Sequence, residues 1–447
     1  MSEHYTVERL ADFICNLSFH DIPETTITAA KRCVLDVLGA AAAGVETHSA
    51  RALRCVMGRQ FQKGTASVWY LPRQMNPLAA AVSNSAAASA LDVDDGHRDA
   101  GGHPGSAVIP AAMAIAEGTG ASGRDFLAAV VTGYEIAVRI AAARDFAALD
   151  TFSTGRWAAY GAAAAVSQLL SLPASQTAEA LAIAGVLSPG LSASGYSALM
   201  GNHVKEGIPW ATMTGFLAVD LASEGFSGPR DILDHPAYFD ARKVVSGLGN
   251  AFAIERTYFK MFSCCRWIHS ALDALIDLME KHNLCPERIH RVDIHTFSRA
   301  LKLNNYAAPP SLESAQYSIP FCLSVAAIKG KEALLPLQAD PLTDPHVIAW
   351  AHRVFLHKDD ALDALFPTRA AARVHVTADD GEYEKTVLDA LGDPGNPISD
   401  VLLESKFRRL SRRRLSPQSQ AELIAHVRTL DQLASLSPLV KLLTSPS

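Results

Sequence analysis

The sequence predicts a mainly α-helical protein: a large helical domain built from both ends of the chain, with a smaller α+β domain inserted into it. Three observations predict this. Apolar residues recur at three- and four-residue steps through most of residues 1–267. Alternating, strand-like patterning is confined to residues 268–396. Helical patterning then returns over 397–447.

The first helices are expected over 6–20 and 24–44. In the second, Ile27, Ala30, Val34, Val37, Leu38 and Ala41 share one face, and Asp21-Ile-Pro23 marks its entry. Further helices are expected over 76–91, 105–118, 124–143, 156–171, 175–187, 208–224 and 267–282. Gly-, Pro-, Ser- and Asp-rich links such as GTGASGRD and SLPASQ separate some of them. Arg291 to Phe297 and Ala372 to Thr377 alternate as half-buried strands do, and Asp379-Asp-Gly turns the chain into a returning strand over 382–388. A helical run, Leu312 to Lys329, lies between them. The polar segment GDPGNPISD (392–400) reads as a boundary, followed by helices over 401–412 and 417–444.

The chain has 447 residues, 49% hydrophobic and 19% charged, enough for a sizeable core and unlike a disordered segment. A net charge of −6 offers no basic field for nucleic acid. The opening MSEHYTVERLADF has neither a basic n-region nor an apolar h-region, so no signal peptide is expected. No apolar run approaches the roughly 18 residues of a membrane span. Seven cysteines without a CxxC pair suit reduced thiols and a cytoplasmic protein.

Several familiar chemistries lack their motifs. There is no P-loop. Gly247-Leu-Gly249 lacks the third glycine of a dinucleotide fingerprint. Gly190-Leu-Ser-Ala-Ser-Gly195 is one residue too long for a nucleophile elbow.

Four clusters carry the candidate chemistry. The densest is LDVDDGHRDAGGHPGSAVIP (91–110), with Asp92, Asp94, Asp95, Asp99, His97, Arg98 and His103 between alanine-rich helices. Its carboxylates and histidines have the atoms to bind a metal but no recognised ligand spacing, so no metal is expected. The others are Thr154-Gly-Arg156-Trp157, the segment 201–207 around Lys205, and the segment 258–269 with Lys260, Arg266 and His269. Arginine grips carboxylates through a planar fork, and histidine moves protons near neutral pH. Together they suit proton transfer next to a carboxylate of a small anion. Plainer readings stay open: Lys205 as a solvated surface charge, Arg266 as a structural ion pair, His269 as a core histidine.

At these residues the chain resembles the MmgE/PrpD family, which includes 2-methylcitrate dehydratase, cis-aconitate decarboxylase and iminodisuccinate epimerase. The resemblance runs through LADFICNLSFHDIPETTITAAKRCVLDVLGAAAAG (10–44), LDVDDGHRDAGGHPGSAVIPAAMAIAE (91–117), VKEGIPWATMTGFLAVDLASEGFSGP (204–229), FKMFSCCRWIHSALDAL (259–275), ESAQYSIPFCLSVAAIKG (313–330) and GNPISDVLLESKF (395–407). It implies a large helical domain with a smaller α+β lid, a homodimer, and no obligatory cofactor. It also implies Asp92, His103, Lys205 and His269 as catalytic residues, with Arg266 on a substrate carboxylate; His97, Arg98 and Lys260 are expected to bind substrate beside it.

This chain departs from the pattern in four places. The loop up to His103 is one residue longer, and the segment after Lys205 holds Gly-Ile-Pro-Trp where a longer, basic or aromatic run is common. Gly96 stands where dehydratases and decarboxylases tend to carry Thr, and Phe152-Ser-Thr154 stands where many members carry His-x-Thr. On that ground an isomerase, epimerising an iminodisuccinate-like substrate, is expected ahead of a dehydratase or decarboxylase. A non-catalytic carboxylate-binding protein is the remaining alternative.

Overall fold

The computed structural model describes residues 4–146, 148–149, 152–189 and 201–444. The Gly190–Gly195 segment lies outside the described residues. The fold is mainly helical, with a smaller region of mixed helix and sheet.

Helices α1 (Thr6–Asn16), α2 (Glu24–Gly44), α3 (His48–Gln60), α4 (Pro77–Ser89), α5 (Gly105–Thr119), α6 (Gly123–Ala142), α7 (Ala158–Leu169), α8 (Ala174–Leu187) and α9 (Ile208–Ser223) precede the sheet. Their abundant alanine and glycine let backbones approach closely. Gly133 on α6 and Gly161 on α7 face each other, and a Cβ on Gly161 would lie 2.5 Å from the Gly133 carbonyl oxygen. Helix α4 is central: Asn76 caps it with Pro77 in its first turn, and its side chains from Leu78 to Ser89 are buried. It packs on α2, α3, α5 and α9. The loop that leaves its C-terminal end is therefore anchored in the middle of the helical mass.

The main sheet has the order β6-β5-β7-β8, from β5 (Ile289–Thr296), β6 (Val354–Lys358), β7 (Ala372–Ala378) and β8 (Gly381–Val387). β5 runs parallel to β6 and antiparallel to β7, and β7 and β8 form the expected hairpin through Asp379-Asp380. Alternate residues of β7 are buried, which is the pattern read from the sequence. Helices α10 (Arg266–His282) and α11 (Ile319–Lys329) share an apolar core with the sheet. After the sheet come α12 (Asp400–Ser411), α13 (Pro417–Arg428) and α14 (Ser437–Thr444); α12 packs against α2.

Local details differ from the sequence reading. α3 is an unexpected helix, because HSARALRCVMGRQ buries only Ala50, Arg54 and Met57 and so carries a weak apolar stripe. β6 is an unexpected strand too short to show a period. The expected run 312–329 is interrupted: Leu312–Ala315 forms a short turn of helix, and α11 restarts with Ser318 as its cap and Pro320 in its first turn. The expected helix 417–444 is likewise two, α13 and α14. Two two-stranded pairs also form: β1 (Ala66–Val68) with β2 (Arg73–Met75), and β3 (Gly96–His97) with β4 (Thr257–Tyr258). The second pair ties the 91–103 loop to the segment leading into α10.

Candidate active site

The loop leaves α4 through Asp92, whose φ of 53° lies in the left-handed region that non-glycine residues avoid. This backbone turn brings its buried carboxylate to the Lys260 ammonium, 2.8 Å from Asp92 Oδ1. Lys260 also donates to the Asp92 carbonyl at 2.9 Å and has no exposed side-chain surface. Lys205 Nζ lies 4.0 Å from the same Asp92 oxygen. Lys205 too has a left-handed backbone, with φ 50°, and donates to the Ser89 carbonyl at 2.7 Å and to Gln316 Oε1 at 2.9 Å. Its charge thus sits on the last carbonyls of α4, where the helix dipole favours a cation. Burial would push the Asp92 carboxyl up. The charges of Lys260, Lys205 and His103 outweigh it and hold Asp92 well below the ordinary aspartate range.

His103 faces this carboxylate from the other end of the loop. Its Nδ1 lies 2.7 Å from the Asp95 carbonyl oxygen, so Nδ1 carries the proton and Nε2 is left with a lone pair in the neutral ring. Nε2 points to Asp92 Oδ1 at 3.5 Å and Glu206 Oε1 at 3.9 Å. The His103 amide donates to Thr154 Oγ1 at 3.1 Å, and the Thr154 hydroxyl donates in turn to Glu206 Oε2. Behind the ring, Ser106 donates to Asp94 Oδ2 at 2.6 Å, and the Tyr134 hydroxyl donates to Asp95 Oδ2. Burial, reinforced by the Asp36 charge, pushes the Asp95 carboxyl up to about 8.

Two arginines form a second group. Asp393 receives Arg98 through Nε and Nη2, and Arg266 Nη2 reaches its Oδ2 at 3.0 Å. Burial would raise Asp393, but Arg266 and Arg98 together lower it. Both guanidinium groups lie near the Tyr258 ring, 5.4 Å and 4.9 Å from its centroid. Tyr258 also explains Gly96: a Cβ there would come within 2.3 Å of the Tyr258 hydroxyl. Arg266 Nη1 donates to His269 Nδ1 at 3.1 Å, and His269 Nε2 lies 3.3 Å from the Cys264 carbonyl. Burial first, then the Arg266 and Lys260 charges, drives the His269 pKa well down, so its ring is neutral.

Asp92, His97, Arg98, His103, Tyr258 and Arg266 open onto one cleft of about 320 Å³, together with Glu206, Arg299 and Lys302. The structure therefore brings all eight expected residues into one neighbourhood but places them in two layers. Lys205, Lys260 and His269 lie behind the cleft surface: Lys260 and His269 are wholly buried, and Lys205 borders a neighbouring apolar pocket. His97 is held by the Ala253 carbonyl, 2.9 Å from Nε2, and burial lowers its pKa.

The sequence reading did not single out Glu206, Asp393, Gln316 or Arg299. Glu206 directly follows Lys205 in the 201–207 segment. Asp393 stood in the segment taken as a domain boundary, and only its distant arginine partners reveal it.

Asp92, Asp94 and His103 place donor atoms within 4.8 Å of one another. One oxygen of each carboxylate is already engaged: the Lys260 ammonium holds Asp92 Oδ1 and Ser106 holds Asp94 Oδ2, while Asp92 Oδ2 and Asp94 Oδ1 have no hydrogen-bond partner. A cation bridging them would have to sit beside a buried lysine charge. The donor set fits a proton-handling network better than a metal centre. Among the described residues no helix is long and apolar enough to cross a membrane.

Known proteins resemble this chain over nearly its whole length. A cis-aconitate decarboxylase from Aspergillus terreus is 27% identical, with 96% of this chain and 94% of that protein covered. Those from Mus musculus and Homo sapiens are 26% and 27% identical, each covering 98% of this chain and 93% and 95% of their own. These relatives are lyases, which overturns the expected preference for an isomerase. The geometry supplies a physical reason. Epimerisation needs two acid/base groups on opposite faces of the substrate, yet of His103, His269 and Lys205 only His103 lines the cleft. Gly96, read as a departure from lyase chemistry, makes room for the Tyr258 ring. Residues 8–246 match the MmgE/PrpD N-terminal domain and residues 262–432 the MmgE/PrpD C-terminal domain, and the chain belongs to the MmgE/PrpD family.

Proposed function

We propose that this protein is a lyase that decarboxylates a small unsaturated polycarboxylate, as its cis-aconitate decarboxylase relatives are named to do. The observation that carries this reading is His103, with Nδ1 anchored on the Asp95 carbonyl and Nε2 turned to the cleft beside Asp92. A histidine held in this way on one wall suits a reaction that delivers one proton to carbon.

The bond between a carbon and its carboxylate breaks and CO2 leaves. The electron pair forms a new double bond to the adjacent carbon, the old double bond shifts, and its far carbon takes a proton from Nε2 of His103. The ring enters the step as the doubly protonated imidazolium beside the Asp92 and Glu206 carboxylates. Solvent then returns the proton to the ring. Asp92, held ionised by Lys260 and Lys205, keeps the imidazole oriented. The Arg98–Arg266 pair, with two cations to one Asp393, keeps net positive charge for the carboxylates that remain.

The test is incubation of the purified protein with cis-aconitate, following CO2 release and the product by NMR. Decarboxylation is expected, with His103→Ala slower by roughly 10²–10⁴-fold and still folded. Absence of CO2 from the native protein, or an undiminished rate in the variant, would overturn the proposal.

A further inference from the structure

We propose, resting on the polycarboxylate reading above, that the substrate carries an apolar side group, an alkyl chain of several carbons, and that an aromatic wall of the cleft receives it. The wall consists of Phe146, Phe152, Trp267 and Phe366, all lining the cleft. Phe152 is its hub, with ring centroids 5.2 Å from Phe146, 6.0 Å from Trp267 and 5.8 Å from Phe366. Trp267 and Phe366 meet edge to face at 5.7 Å, and Phe297 stacks behind Phe366 at 4.5 Å. The rings are thus locked in place and remain partly open to the cleft.

The wall adjoins the reacting groups. A Cβ on Gly101, two residues before His103, would come within 2.9 Å of Phe152 and 3.2 Å of Phe146. Trp267 directly follows Arg266, and Cys265 lines the same cleft. A substrate gripped at Arg266 and His103 therefore has these rings within reach.

The chemistry of the wall is mismatched to a bare polycarboxylate. Aromatic faces carry negative electrostatic potential and repel carboxylate oxygens. Arg299 lies over Phe152 at 4.4 Å and donates to the Leu149 carbonyl at 2.8 Å. An apolar substituent instead removes ring and alkyl surface from water together. Phe152 occupies the position at which the sequence departs from the family's His-x-Thr pattern, so the departure trades a polar ring for an apolar one.

Binding of two saturated, unreactive acids tests the idea by calorimetry: propane-1,2,3-tricarboxylate and its 1-butyl derivative. Each methylene buried is worth roughly a fourfold gain in affinity, so the butyl acid is expected to bind the native protein about tenfold tighter or better. Phe152→Ala should bring the ratio of the two affinities towards one. Phe152→Leu, which keeps apolar bulk and tolerable packing, should retain most of it.

A ratio of one or less in the native protein overturns this inference alone, since the parent acid still binds. A tenfold ratio that survives in folded Phe152→Ala also overturns it. If neither acid binds, the polycarboxylate reading fails and takes this inference with it.

Discussion

Lys260 and Asp92 form a buried ion pair across the cleft floor, with Nζ 2.8 Å from the carboxylate and 2.9 Å from the carbonyl of the same residue. The lysine thus fixes both the charge and the strained left-handed backbone of Asp92. Lys260→Met would leave a buried carboxylate without its nearest cation, and should cost about 3–5 kcal/mol of stability, measured by urea denaturation. The pair also sets acid sensitivity. Asp92 is depressed below the ordinary value of 3.8, so its stabilisation is fully present above that pH and is lost as pH falls below it. With Lys260 removed the depression shrinks, and acid unfolding should begin at higher pH. An unchanged acid limb in the variant would contradict the assignment.

Asp95 titrates in the opposite sense. Its pKa is raised from 3.8 to about 8, so the native state holds a proton that the unfolded chain releases. Stability from this group is present below about pH 4 and declines as pH rises towards 8. The Tyr134 hydroxyl donates to one Asp95 oxygen, and the other has no hydrogen-bond partner, which an amide group tolerates better than a charge. Asp95→Asn should therefore gain on the native protein between pH 5 and pH 8, by an amount on the order of a few kcal/mol. Parallel denaturation curves at the two pH values read this difference. A constant gap would mean that Asp95 does not hold the proton.

How much of this was legible in the sequence depends on the range of the interaction. Period and punctuation are local, so most of the helices and the β7–β8 hairpin could be read directly, and the 91–103 loop stood out by polar density. The pairing of Asp92 with Lys260 spans 168 residues, and nothing in local patterning announces it. Clusters of chemistry-bearing residues and resemblance, not periodicity, put Lys205 and His269 in the site, and their burial behind it needed coordinates. Arg98 and Arg266 were read as ligands for a substrate, while their shared partner Asp393 lay unnoticed in a segment whose Pro and Gly content suggested only a boundary. Gly96 shows the opposite error: a packing requirement, room for Tyr258, was read as a change of chemistry.

The two arginines on Asp393 should not be equivalent. Arg266 is almost wholly buried, and besides Asp393 it serves the Ala390 and Leu391 carbonyls and His269. Arg98 is 12% exposed and bonds Asp393. Arg266→Met should cost about 3–5 kcal/mol and Arg98→Met about 1–3 kcal/mol. Because they share one carboxylate, the double variant should depart from the sum of the singles by more than about 0.5 kcal/mol. Denaturation of all four proteins completes the cycle; additive losses would show that Asp393 holds the two independently.

Lys406 on α12 reaches into the helical core and donates to Asp36 Oδ1 at 2.6 Å and to the Val93 carbonyl at 2.7 Å. Both side chains are essentially inaccessible, so the pair fastens the C-terminal helices to α2 and to the site loop at once. Burial outweighs the Lys406 charge and raises the Asp36 pKa, so Asp36 can escape an unpaired state by taking a proton. Lys406→Met should therefore destabilise the protein by about 3–5 kcal/mol at pH 8, and by less at pH 5, where protonation of Asp36 relieves the buried charge. Adding Asp36→Asn should restore part of the loss at pH 8 and little at pH 5. Neither change returns a donor to the Val93 carbonyl, which sits between Asp92 and Asp94. Decarboxylase activity should then stay reduced in the double variant even where its stability recovers. Full recovery of activity together with stability would show that the Val93 contact does not hold the loop.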